Sequence, residues 1–248
     1  MESVLRLEIL PQPDDSTCGP TCLHAVYRYY GEQVGLEQVI AATRRLENGG
    51  TLGVLLGSQA LARGYRVTIY TYNLTVFDPT WFTRADVDLV ERLESQIAIK
   101  SDDERLVFAS RAYIDFLRQG GQLRFEDLTS SLIRRFLKRG APILTGLSAT
   151  YLYRTPRERG EEVSIFDDLR GTPMGHFVVL CGYHVGDRNV LVADPWPANP
   201  VSGSHQYWVG MDRLVNSILL GIITYDANLV IIEPYGRGVE HAGADRRQ

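Results

Sequence analysis

The chain has 248 residues, a formal charge of −4, 44% hydrophobic residues and 23% charged residues. That is globular composition, long enough for one large domain or two small ones, and no Lys/Arg run marks a nucleic-acid surface. No stretch of about 18 apolar residues is present to span a membrane, residues 1–10 carry no secretory signal, and Cys18, Cys22 and Cys181 make no disulfide framework, so a cytoplasmic protein with reduced thiols is expected.

In chain order, Leu5, Leu7 and Ile9 alternate with polar residues, which predicts a short strand running into a Pro-bounded loop. Asp14, Asp15, Ser16 and Thr17 are capping types. Residues 19–30 then have helical spacing at Cys22, Leu23, Val26, Tyr27 and Tyr30, with Pro20 in the first turn and Gly31 closing. Helices are predicted over 36–46 and 51–63, followed by the strand "YRVTIYTY". Two further helices lie in a polar section, 73–120. "QLRFEDLTSSLIRRFLKRG" reads as a short strand and a helix capped by Asp127, and "APILTGLS" as a strand. Residues 153–175 form a charged excursion, an exposed hairpin or flap. "HFVVLCGYH" and "NVLVADP" are strands joined by a tight turn at Gly186 and Asp187. A strand–helix unit, "HQYWVGMDRLVNSIL", and a last strand, "NLVIIEP", complete the order. Helices come early and strands late, which favours α+β. The expected organisation is one domain over 1–236 with a helical insertion around 73–120, and a flexible tail over 237–248.

The stretch "PQPDDSTCGPTC" carries the chemistry. A thiol attacks only as thiolate, its free pKa is about 8.5, and a helix N-terminus favours the anion. Cys18 stands at such a terminus. Gly19 lets a substrate backbone approach closely. The Cys18 N–H and the amide of Gln12, in the preceding loop, are two candidate donors to an oxyanion. A base and an orienting group are also required. His176 opens a buried strand and Asp194 ends the next. If the two strands pair antiparallel through the turn at 186–187, His176 and Asp194 become neighbours, with a residue or two of slack for a bulge. His184 is a rival base on the same face, but it lies roughly 26 Å away along the strand.

The set Gln12, Cys18-Gly19-Pro20, "GHFVVLCGYH" and "VLVADPWP" resembles the bacteriocin-processing, double-glycine cysteine peptidases, which have a papain-like fold. The resemblance implies an α+β, papain-like fold with an N-terminal helical part packed on an antiparallel sheet. It implies Cys18 as nucleophile, His176 as base, Asp194 as orienting acid and Gln12 as oxyanion donor. It also implies a peptide or protein substrate cut after small residues such as Gly-Gly. The chain reads as a free-standing member, since no transporter membrane domain follows; sections 73–120 and 153–175 exceed the compact family core, and Thr17 stands where an acid is usual.

Each residue has a plainer reading as well. Cys18 reads as a small buried hydrophobe, His176 as a strand-end histidine bonded to backbone, Asp194 as a turn starter and Gln12 as a loop residue. Cys22 and Cys181 read as core, and Trp196 and Trp208 as core or rim aromatics. No second Cys/His pair has ligand spacing, so neither metal nor organic cofactor is expected. Two other functions remain open: a transpeptidase passing the acyl group to an amine at the same site, or a non-catalytic peptide-binding regulatory module. The oligomeric state is not legible.

Overall fold

The structure is a computed structural model that describes residues 2–46, 50–160 and 165–235; the tail over 237–248 lies outside them. In chain order the elements are β1 (Glu2–Val4), α1 (Cys18–Tyr29), α2 (Leu36–Ala42), α3 (Gly53–Ala62), β2 (Tyr65–Thr71), α4 (Leu89–Ile99), α5 (Glu104–Arg118), β3 (Gln122–Arg124), α6 (Ser130–Lys138), β4 (Ile143–Ser148), α7 (Ala149–Tyr153), β5 (Glu158–Arg159), β6 (Ile165–Phe166), β7 (Gly175–His184), β8 (Asn189–Ala193), β9 (Gln206–Gly210), α8 (Met211–Leu220) and β10 (Asn228–Pro234).

The main sheet runs β3-β2-β10-β4-β7-β8-β9, and all its pairs are antiparallel except β2 with β3. Side chains alternate across it and feed a core on each face. On one face Val67, Ile69, Leu144, Phe177, Val179 and Val230 pack with α1, α2, α3 and α5. On the other Leu147, Val178, Leu180, Val192, Leu229 and Ile231 pack with α6, α7 and α8. The polar section 73–120 is therefore not peripheral: Leu106, Ala109, Tyr113 and Phe116 of α5 sit in the first core.

Several boundaries differ from the sequence reading, each for a physical reason. The first strand is Glu2–Val4 rather than the alternating Leu5, Leu7, Ile9 segment, because β4 occupies the edge of β7 from Gly175 to Leu180 and leaves β1 only residues 182–184. Helix α2 stops at Ala42; Thr43 turns extended, and its hydroxyl donates to the Val39 carbonyl at 2.8 Å. Helix α6 is capped by Thr129, whose hydroxyl accepts the Leu132 N–H, and not by Asp127. The turn between β7 and β8 has four residues, since His184 pairs with Asn189, and Arg188 takes the left-handed conformation at φ 53°. The excursion contains the small hairpin β5–β6, and Ile165, Phe166 and Leu169 are exposed on it.

Candidate active site

Strands β7 and β8 pair antiparallel with a bulge between Leu180 and Gly182. The bulge takes up one residue of the offset between the strands and brings His176, at the mouth of β7, to Asp194, just past the end of β8. The His176 Nε2 lies 2.9 Å from Asp194 Oδ1. Asp194 is fully buried and His176 is 8% exposed, so protein groups, not water, must hold both. The bulge also changes the side-chain parity: Val178 and Leu180 share a core with Tyr183. His184 is thereby moved off the face of His176, and it bonds Asp187 Oδ2 at 2.8 Å within its own turn.

Every polar atom of Asp194 is engaged. Its N–H donates to the His205 carbonyl at 2.8 Å, and its carbonyl bonds His205 Nδ1 at 2.8 Å. Oδ1 also accepts the Trp196 N–H at 2.9 Å. Oδ2 accepts the hydroxyls of Tyr153 at 2.6 Å and Tyr207 at 2.5 Å. The Tyr153 ring lies 6.0 Å from the imidazole and 5.1 Å from the Trp196 ring, closing one side of the site.

Cys18 is the first residue of α1 and is partly exposed. No side chain caps that helix and no acid sits in its first turn, so its N-terminal field is uncompensated. Cys18 lies close enough to His176 to raise the imidazole's pKa. The preceding loop is organised by Asp14, which accepts the N–H and hydroxyl of Ser16 and, through its carbonyl, the hydroxyl of Thr17. Gln12 is fixed at both levels: its N–H donates to the Pro195 carbonyl and its Nε2 to the Asp14 carbonyl, each at 2.9 Å. The first bond ties the Gln12 loop to the residue after Asp194; the second leaves one amide N–H for another acceptor. Gly19 also has a packing reason: a Cβ there would lie 2.6 Å from Thr51 Cγ2 and 3.2 Å from Phe177 Cδ2.

Burial opposes a charge on His176, yet the neighbouring Asp194 and Cys18 together push its pKa up to about 10. Burial likewise opposes the Asp194 charge, and His176 with the two tyrosines nonetheless holds it below the ordinary carboxylate value. The arrangement favours an imidazolium beside the thiol at neutral pH. The other cysteines are inert by contrast. Cys22 donates to the Phe177 carbonyl at 3.2 Å and is pushed up by burial, and burial raises Cys181 to about 12.

Of the four residues singled out from the sequence, His176 and Asp194 are bonded directly, Gln12 is tied by its backbone to Pro195, and Cys18 lies beside His176. The sequence reading did not find Tyr153 and Tyr207. Alternation in "HQYWVG" points Tyr207 inward and Trp208 outward, where it is 39% exposed, but only the β8–β9 register places Tyr207 near Asp194. Tyr153 carried no signal at all. Trp196, half-buried, adds its backbone N–H to Asp194.

Residues 112–215 match the Peptidase_C39 like family, a span that contains His176 and Asp194 and begins after Gln12 and Cys18. No curated protein matches the sequence. Among solved structures, a C39-like peptidase from Bacillus anthracis is similar at a TM-score of 0.50 and 12% identity, covering 94% of this chain and 97% of that one. The peptidase domain of Streptococcus ComA, a bi-functional ABC transporter of a quorum-sensing pathway, gives 0.43 at 13% identity over 92% and 99% of the two chains. Xylellain, a cysteine protease from Xylella fastidiosa, gives 0.45 at 13% over 94% and 85%. The chain resembles the C39 peptidases, and its fold is α+β and papain-like.

Proposed function

We propose that the chain is a cysteine peptidase in which Cys18 is the nucleophile. Its sulfur attacks the carbonyl carbon of a peptide bond, and the oxyanion is held by the Cys18 N–H and the Gln12 amide. His176, oriented by Asp194, gives its proton to the leaving amine, which departs and leaves a thioester on Cys18. His176 then takes a proton from water; the hydroxide attacks the thioester, and the acid product leaves with the thiol restored. One observation carries this reading: a buried imidazole bonded to a buried carboxylate, beside the cysteine that opens an uncapped helix and raises that imidazole's pKa. The reading treats residues 1–236 as one peptidase unit that acts on peptides in the cytoplasm, and three free cysteines among the described residues agree with a reducing compartment.

The family resemblance makes peptides with Gly-Gly before the scissile bond the first substrates to try. Incubation of the full chain with such peptides, followed by product masses, is the test. Cleavage by wild type and its loss in Cys18→Ala and His176→Ala are expected; full activity in Cys18→Ala would sink the assignment. Adding amines to the same reaction distinguishes hydrolysis, which gives the free acid, from acyl transfer, which gives the amide.

A further inference from the structure

The two tyrosines on Asp194 have no part in the steps above. Tyr153 closes α7, Tyr207 stands in β9, and they converge on one oxygen of an acid that is itself beyond β8. Oδ1 already has two donors, the His176 ring and the Trp196 N–H. Donors on both oxygens fix the plane of the carboxylate, with one oxygen facing His176. Burial and the Asp194 charge raise both phenols above their ordinary value, so they remain donors throughout the working pH range.

On the peptidase reading given above, we infer that Tyr153 and Tyr207 are positioning residues: they hold the plane of the Asp194 carboxylate toward His176 and keep it anionic in a dry site, and so set the pH at which the Cys18–His176 pair forms. The titratable groups facing Asp194 are His176 from β7, Tyr153 from α7, Tyr207 from β9, His205 in the loop before β9, and Cys22 from α1, with Cys18 beside His176. Among the described residues no arginine or lysine bonds it, which leaves the two hydroxyls as the donors to Oδ2. A hydrogen bond to a charged group is strong in such surroundings. Its loss makes the carboxylate more basic, and Asp194 then takes a proton, and ceases to hold the imidazolium, at higher pH.

The test is the rate of iodoacetamide labelling of Cys18 against pH, read by peptide mass spectrometry, in the full chain and in Tyr153→Phe, Tyr207→Phe and the double variant. Tyr183→Phe, a buried tyrosine of the same core, is the control. The acid edge of labelling moves up by about one pH unit in each single variant and further in the double; Tyr183→Phe leaves it in place. An edge unmoved in the double variant, or moved equally in the control, overturns the inference. Should a Phe variant fail to fold, a site-specific fluorotyrosine at position 207 keeps the shape and strengthens the donor; the edge then moves down, and no movement refutes the idea. Titration of the His176 ring by NMR reports the same pair without thiol chemistry. A Cys18 that labels like a free thiol in wild type, with a His176 titration that still responds to the Phe variants, would count against the peptidase reading and for the positioning role.

Discussion

Asp226 offers the sharpest stability test. It is 5% exposed, and its Oδ1 accepts the Gly53 N–H at 2.7 Å, capping α3 from a remote segment. Burial outweighs that bond and the Asn228 amide, and raises its pKa from 3.8 to about 7. The gap corresponds to about 4 kcal/mol, an order-of-magnitude figure and a large part of a typical domain's stability. Because the folded pKa lies above the unfolded one, the fold binds the proton more tightly. Stability is full below about pH 4, falls as pH rises toward 7, and levels off above it. Asp226→Asn keeps the acceptor for Gly53 and removes the charge. Its stability should match wild type at pH 4 and exceed it by about 2–4 kcal/mol at pH 8. Denaturant unfolding of both proteins across that range measures it, with unchanged m-values required. If the variant loses as much stability as wild type between pH 4 and 8, Asp226 is not the group that titrates and the argument fails.

Three further outcomes are expected. Asp194→Asn removes the main anion that holds the imidazolium, so the His176 ring, titrated by NMR, should drop well below about 10, because only the neighbouring Cys18 is then left to oppose burial. Gly19→Ala must displace Thr51 or Phe177 from contacts at 2.6 and 3.2 Å; a loss of about 1–3 kcal/mol in denaturant unfolding is expected, with slower Cys18 labelling as α1 shifts. Thr129→Ala removes the α6 cap and should cost about 1 kcal/mol, whereas Asp127→Ala should leave the melting temperature unchanged.

What was legible in the sequence followed from local periodicity and from one pairing argument. Period-2 strands flanking a turn placed the start of β7 beside the end of β8, and with it His176 beside Asp194. The helix spacing after Thr17 put Cys18 at a helix N-terminus. What was not legible depended on contacts between segments far apart in the chain. Gly19 is small because of Thr51 and Phe177, and β1 is short because β4 competes for the same edge. The face of His184 was misread because a bulge at Cys181 has no sequence mark, and Tyr153 reaches Asp194 across 41 residues.

The same physics separates the two buried acids behind β7. Asp194 and Asp226 are both nearly inaccessible, and burial raises each. Asp194 ends below its ordinary value because a cationic imidazole and two phenols, with a backbone N–H, surround its carboxylate. Asp226 has one good backbone donor and one amide at 3.3 Å, with no cation in bonding range among the described residues, and it goes neutral near pH 7. An acid that orients a base has to stay charged as the base cycles through its protonated form, and only the first site supplies the donors for that. The second site supplies enough for a helix cap and no more. On the proposed mechanism, donor count at the two carboxylates fits Asp194 to the orienting role and Asp226 to a structural one.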